Sequence, residues 1–158
     1  MIEVEVEAPA WSEALADPAG SCRKAAEAAL KAAAREGDVV VLLTDDEAVA
    51  ELNAGFRGKP GPTNVLSFPA PETARPHLGD VAVACGVCVR EAQEQGKRLE
   101  DHLMHLVAHG VLHLVGYDHE DDAEAEIMEA LERKVLAGLG APDPYAPSDP
   151  YAPEPDAR

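Results

Sequence analysis

The strongest constraint in this chain is the run His109-Gly-Val-Leu-His113-Leu-Val-Gly116-Tyr-Asp-His119, which sets three imidazoles at the spacing H-x3-H-x2-G-x2-H. On an α-helix, residues four apart lie one above the other on one face. His109 and His113 can therefore aim two ring nitrogens at one point. Gly116 tolerates positive φ at no steric cost, so it is suited to end that helix and let the chain turn back. His119 then reaches the same point from a third direction. Three nitrogens with a fourth position open are the donor set of a single catalytic zinc ion, with Zn–N distances of about 2.0–2.1 Å.

An open three-histidine zinc lowers the pKa of bound water to about 7, which points to hydrolysis. The spacing is that of the metzincin proteases with one departure, since Gly110 stands where they carry a glutamate as general base. A peptidase would lack its base here. A phosphodiester instead needs positive charge against the non-bridging oxygens of its transition state. Arg57 is a candidate, because guanidinium binds phosphate bidentately. Taken alone, Arg57 reads as a solvated residue at a helix end.

Other residues near this run carry two readings each. His105, four before His109, reads as a partner behind the ligands or a pathway residue rather than a fourth ligand, and His102 as a surface residue. Asp118 either orients a ligating imidazole or shapes the turn. Thr63, Asn64 and Ser67 line a cleft or cap local turns. Cys85-Gly-Val-Cys88 has redox spacing, but without a second pair it completes no structural zinc site, and it reads as buried or idle thiols.

With 158 residues the chain has the length of one domain. No apolar run approaches the roughly 18 residues of a membrane span. The opening Met1-Ile-Glu-Val-Glu-Val-Glu7 does not read as a signal peptide. Three sparse cysteines argue against a disulfide framework, and together these limits suit a cytoplasmic enzyme with no membrane partner. A formal net charge of -17 argues, by itself, against nucleic acid. The charge is uneven, however. From Arg57 to Arg98 six basic residues face four acids, whereas Glu120 to Glu132 holds seven acids and no base.

In chain order, residues 2–7 alternate as a strand with one wet face, with Ile2, Val4 and Val6 on one side. A helix is expected over Ser21 to Glu36, capped by Ser21 and stopped by Gly37. Asp38 to Thr44 is a strand. Thr44-Asp-Asp-Glu47 reads as a capping box opening a helix to about Phe56, with Val49, Leu52 and Phe56 inward. Gly58 to Pro62 and Pro71 to Pro76 are loops, and Val65 to Phe68 and Gly79 to Ala84 strands. Helices are expected at Val87 to Lys97, Leu99 to Val115, and from an Asp121 or Asp122 cap to about Leu139, the last with Ile127, Leu131, Leu136 and Leu139 inward. The stretch 141–158 holds Asp-Pro-Tyr-Ala-Pro twice and reads as a disordered tail after a domain of residues 1–140. The fold class is α+β, a small mixed sheet packed with helices.

Taken together, these segments resemble the YbeY family of metal-dependent bacterial endoribonucleases, the rRNA maturation factors. The resemblance runs from about Val39 to Leu136. Its strongest part is the histidine run from His109 to His119. Leu52-Asn53 followed by Arg57, then Thr63-Asn-Val-Leu-Ser-Phe-Pro69, then Leu78-Gly-Asp80 match in the same order. The resemblance implies that His109, His113 and His119 are zinc ligands and that Arg57 is functionally important, so that His109 and Arg57 are the catalytic pair. It implies a zincin-like, metalloprotease-type α+β fold with the histidines on a central helix. It further implies an endoribonuclease specific for single-stranded rRNA, acting in 16S rRNA 3′-end maturation, other rRNA processing and ribosome quality control, with ribosomal small-subunit proteins as partners. Two readings compete with it. One is a ribosome-binding assembly factor with a structural metal, whose acidity suits basic ribosomal proteins. The other is a metzincin-like peptidase, which Gly110 opposes.

Overall fold

Val39, Val41, Leu43, Val81 and Val83 pack on one face of a β-sheet, while Leu42, Ala82 and Ala84, between them in sequence, pack on the other. That is the period-two alternation of a sheet covered on both sides. The computed structural model describes residues 1–57 and 63–146, with Phe56 and Arg57 by backbone alone. Among the described residues the sheet has four strands, β1 (Ile2–Val6), β2 (Asp38–Thr44), β3 (Val65–Pro69) and β4 (His77–Ala84), in the order β1-β2-β4-β3. β1, β2 and β4 run parallel, and β3 is antiparallel to β4 with Ser67 opposite Val81. The small mixed sheet of an α+β protein is therefore present, with six α-helices around it among the described residues.

Helices α2 (Pro18–Ala32), α5 (Leu99–Leu114) and α6 (Asp122–Gly138) enclose the larger core with Val41, Leu103, Val107, Met128 and Leu136 among its fully buried members. Helix α3 (Asp46–Arg57) covers the opposite face through Val49 and Leu52. Helix α4 (Cys85–Glu94) follows β4 directly. A short helix α1 (Pro9–Ala14), which the periodicity does not announce, buries Trp11 and lets its Nε1–H donate to the Thr44 carbonyl at 3.0 Å.

Several boundaries differ from expectation for identifiable reasons. α2 begins at Pro18, because Asp17 caps it by accepting from the Gly20 N–H at 3.0 Å. Ser21 lies inside that helix, buried, and donates to Glu100 at 2.7 Å. The cap of α3 is Asp45, which accepts from the Ala48 N–H at 2.8 Å, and Thr44 instead ends β2. Asp121 caps α6 through the Glu124 N–H at 2.8 Å. On α6 Leu136 is buried and Leu131 and Leu139 pack partly buried against the core, as expected, whereas Ile127 is 56% exposed and Met128, Glu132 and Val135 are buried. Beyond α6 the chain stays on the domain for a few residues, with Ala141 buried and the Tyr145 hydroxyl donating to Glu132 at 2.6 Å. The expected tail from residue 141 thus opens with packed residues, and its remainder, 147–158, lies outside the described residues, as does the loop 58–62. Among the described residues no helix is long and apolar enough to cross a membrane.

Candidate metal centre

His109 and His113 stand on the last two turns of α5, and the turn that ends the helix brings His119 toward them. Gly116 adopts φ +105°, its N–H donates to the His113 carbonyl at 3.1 Å, and the Tyr117 N–H donates to the Leu112 carbonyl at 3.0 Å. This is the paired closure of a Schellman motif, and it depends on glycine at the left-handed position. The return segment is braced by Asp118, whose carboxylate accepts from the His119 N–H at 2.7 Å, the turn role of its two readings. One potential ligand nitrogen from each of the three histidines lies within 4.8 Å of the other two.

The hydrogen bonds behind the rings test whether this trio suits a metal. His113 donates from Nδ1 to the Tyr117 carbonyl at 2.9 Å, which leaves Nε2 as a bare lone pair. His109 donates from Nδ1 to Glu132 at 3.2 Å with the same result. The two Nε2 atoms then face each other at 3.1 Å. Two lone pairs that close repel unless a cation or a proton lies between them. Burial, followed by the neighbouring His109 and His119, lowers the pKa of His113 and favours the neutral ligand form. A backbone carbonyl and a carboxylate behind ligating imidazoles are the usual orienting partners at metal sites. The donor set therefore fits a divalent ion such as zinc.

Glu132 was not legible as a site residue, since it sits last in a run of acids and is not among the residues expected inward on this helix. Burial would raise its pKa, but hydrogen bonds from His105, His109 and Tyr145 outweigh burial and bring it down to about 2. It is an ionised, buried carboxylate with a donor on every side. His105 bonds Glu132 and is not in the ligand trio, as expected for a residue behind the ligands. His102 departs from its expected surface position. It is 3% exposed, and Glu91 of α4 supplies a half-buried partner for its Nε2 at 2.9 Å.

The trio opens on a cleft of about 560 Å³, lined among the described residues by Asn53, Thr63, Asn64, Ser67, Pro69 and Asp118 as well as the histidines. Thr63, Asn64 and Ser67 thus line the cleft, and Asn64 also donates to Glu91 at 3.0 Å. None of the described lining residues is Lys or Arg. Arg57 ends α3, and its side chain lies outside the described residues. Gly110 faces the sheet, not the cleft: a Cβ there would stand 2.7 Å from Val81 Cγ1 and 3.1 Å from Ser67 Oγ. Cys85 and Cys88 are buried free thiols, as is Cys22.

A family model described as Endoribonuclease YbeY matches residues 5–140. The Endoribonuclease YbeY of Maricaulis maris is 52% identical over 155 residues, covering 94% of this chain and 94% of its own length. That of Rhodopseudomonas palustris strain HaA2 is 49% identical over 160 residues, covering 93% of this chain and 82% of its own. The solution structure of a Thermotoga maritima protein aligns with a TM-score of 0.54 at 29% identity, covering 97% of this chain and 100% of that one. With the family model spanning most of the sequence and about half of the positions shared with relatives named for one enzyme, the chain belongs to the YbeY family.

Proposed function

We propose that this protein is a metal-dependent endoribonuclease that hydrolyses phosphodiester bonds in single-stranded rRNA, and that His109, His113 and His119 hold one zinc ion. The observation that carries the reading is the convergence of three imidazole nitrogens at the mouth of a polar cleft, in a chain of the YbeY family. A zinc ion held there supplies Lewis acidity and a hydrolytic nucleophile at neutral pH. His109 and His113 turn their Nε2 atoms inward through the bonds of their Nδ1 atoms to Glu132 and Tyr117. Asn53, Thr63, Asn64 and Ser67 offer donors and acceptors to a polar, extended substrate.

In this reading Arg57 meets the charge that develops on the scissile phosphate. Asn53, which lines the cleft, stands one helical turn before Arg57 in the sequence of α3. By family, the substrate is rRNA in 16S 3′-end maturation and ribosome quality control, with small-subunit proteins as partners in the cytoplasm. The fold reading that goes with this is zincin-like, with α5 as the ligand-bearing helix. The exposure of His119 favours a reacting ion over a closed structural one.

The test is cleavage by the zinc-loaded protein. Labelled single-stranded rRNA and casein are each incubated with wild type, His109→Ala and Arg57→Ala. RNA cutting by wild type, lost in both variants, is expected. Casein cutting would favour a peptidase. Co-sedimentation with small ribosomal subunits, without cutting of either substrate, would favour an assembly factor with a structural metal.

A further inference from the structure

Glu132 takes a donor from three side chains, two from α5 and one, Tyr145, from beyond α6. Its side chain is 1% exposed. Oε2 accepts from His109 Nδ1 at 3.2 Å, and Oε1 accepts from His105 Nε2 and from the Tyr145 hydroxyl, the latter at 2.6 Å. A carboxylate gripped through one oxygen has little freedom to swing the other. We propose that Tyr145, acting through Glu132, is a positioning residue for the metal centre, so that the segment after α6 sets the tautomer and aim of His109. The proposal rests on the reading of the trio as a metal site.

The segment is held firmly enough for that task. Asp143 accepts from the Tyr145 N–H at 2.8 Å and from Arg133 Nε at 3.3 Å. The Arg133 guanidinium also lies over the Tyr145 ring, 5.3 Å from its centroid. Lys97 donates to the Pro144 carbonyl at 3.1 Å. Two basic side chains from different parts of the chain thus hold this segment, Arg133 through the Asp143 carboxylate and Lys97 through the Pro144 carbonyl. The hydroxyl is left aimed at Glu132, and the ring stands edge-on to His105 at 5.3 Å. A tyrosine serving only to fill space would need none of the polar contact: phenylalanine has the same ring. The hydroxyl acts on Oε1, and the effect is felt at the opposite oxygen, where His109 is held.

Tyr145→Phe keeps the ring and removes the hydroxyl, so it is the decisive variant, with Glu132→Gln as its upstream reference. Metal affinity is measured by Co(II) titration, following the visible absorption of the bound ion. Partners behind a ligand typically contribute about 10–100-fold in affinity, so Glu132→Gln is expected in that range and Tyr145→Phe at about 3–10-fold. The double variant is expected to be no weaker than Glu132→Gln alone, because both act on one path. In metal-free protein, nitrogen-15 spectra are expected to show His109 protonated on Nδ1 in wild type and as a mixture in Tyr145→Phe. A Tyr145→Phe protein with lowered thermal stability but wild-type affinity, Co(II) spectrum and His109 tautomer would overturn the proposal, as would additive losses in the double variant. If wild type binds no metal, the metal reading fails; the tautomer in metal-free protein still decides whether Tyr145 and Glu132 position His109.

Discussion

The Ser67 hydroxyl donates to the Gly110 carbonyl at 2.9 Å, which fastens β3 to the last two turns of the ligand-bearing helix. Gly110 lies over the cross-strand pair Ser67–Val81, and the helix approaches so closely that no side chain fits between. The missing glutamate of the protease signature thus has a packing reason as well as a chemical one. Gly110→Ala places a methyl against Val81, a β-branched side chain with little freedom to yield. The expected cost is about 1–3 kcal/mol, read from urea denaturation. Gly110→Glu should destabilise further and gain no action on casein. An unchanged midpoint for Gly110→Ala would show that this seam is looser than its distances say.

Zinc should stabilise the folded chain by mass action. At a free concentration one hundred times its dissociation constant the gain is about 2.7 kcal/mol, visible as a rise in melting temperature that a chelator reverses. His113→Ala removes one of three nitrogens and should abolish most of that rise. Arg57→Ala should keep it in full while cutting RNA about 10²–10³-fold more slowly, the usual loss when one charge-stabilising donor is removed. Loss of the zinc-dependent rise in Arg57→Ala would contradict a role confined to the phosphate.

The trio was legible because its geometry is local. Two positions four apart on a helix, a glycine and three more residues fix the arrangement with no knowledge of the rest of the fold. Helix starts were less legible, since Asp17 and Ser21, or Thr44 and Asp45, compete as caps with similar preferences. The choice between them is made by Pro18 and by where β2 runs out. Glu132 was hidden for a deeper reason. A carboxylate on the apolar stripe of α6 makes sense only beside His105, His109 and Tyr145, which come from α5 and from beyond α6. Without those partners the pattern favours Ile127 as an inward residue, whereas Met128 and Glu132 are the ones buried there. The buried His102 was missed likewise, because Glu91 stands on another helix.

The thiols should be inert in the folded protein. Burial pushes the Cys22 thiol up to about 12 and raises Cys85 and Cys88 as well. The thiolate is the reactive form, so little of it exists at neutral pH. Iodoacetamide at pH 7.5 is expected to leave Cys22 and Cys88 unmodified over hours and to label all three cysteines promptly in denaturant, as read by intact mass. Rapid native labelling of Cys88 would revive a redox reading of the Cys85–Cys88 pair.

His102 should make stability fall as the solution turns mildly acidic. Burial lowers its pKa below the ordinary 6.5, and outweighs the hydrogen bond and charge of Glu91, which act the other way. Lys97 and His105 add smaller effects in the direction of burial. The unfolded chain therefore takes up a proton on this residue at a higher pH than the folded chain does. The contribution is fully present above pH 6.5, declines as pH falls through that value, and stops declining once the folded imidazole is itself protonated. Urea midpoints measured with chelator at pH 7.5, 6.5 and 5.5 should fall more steeply for wild type than for His102→Gln, which has no such proton to take up. A nuclear magnetic resonance titration of the His102 ring should place its midpoint below 6.5. A midpoint at or above 6.5, with parallel midpoints for the two proteins, would mean that Glu91 governs the ring in place of burial.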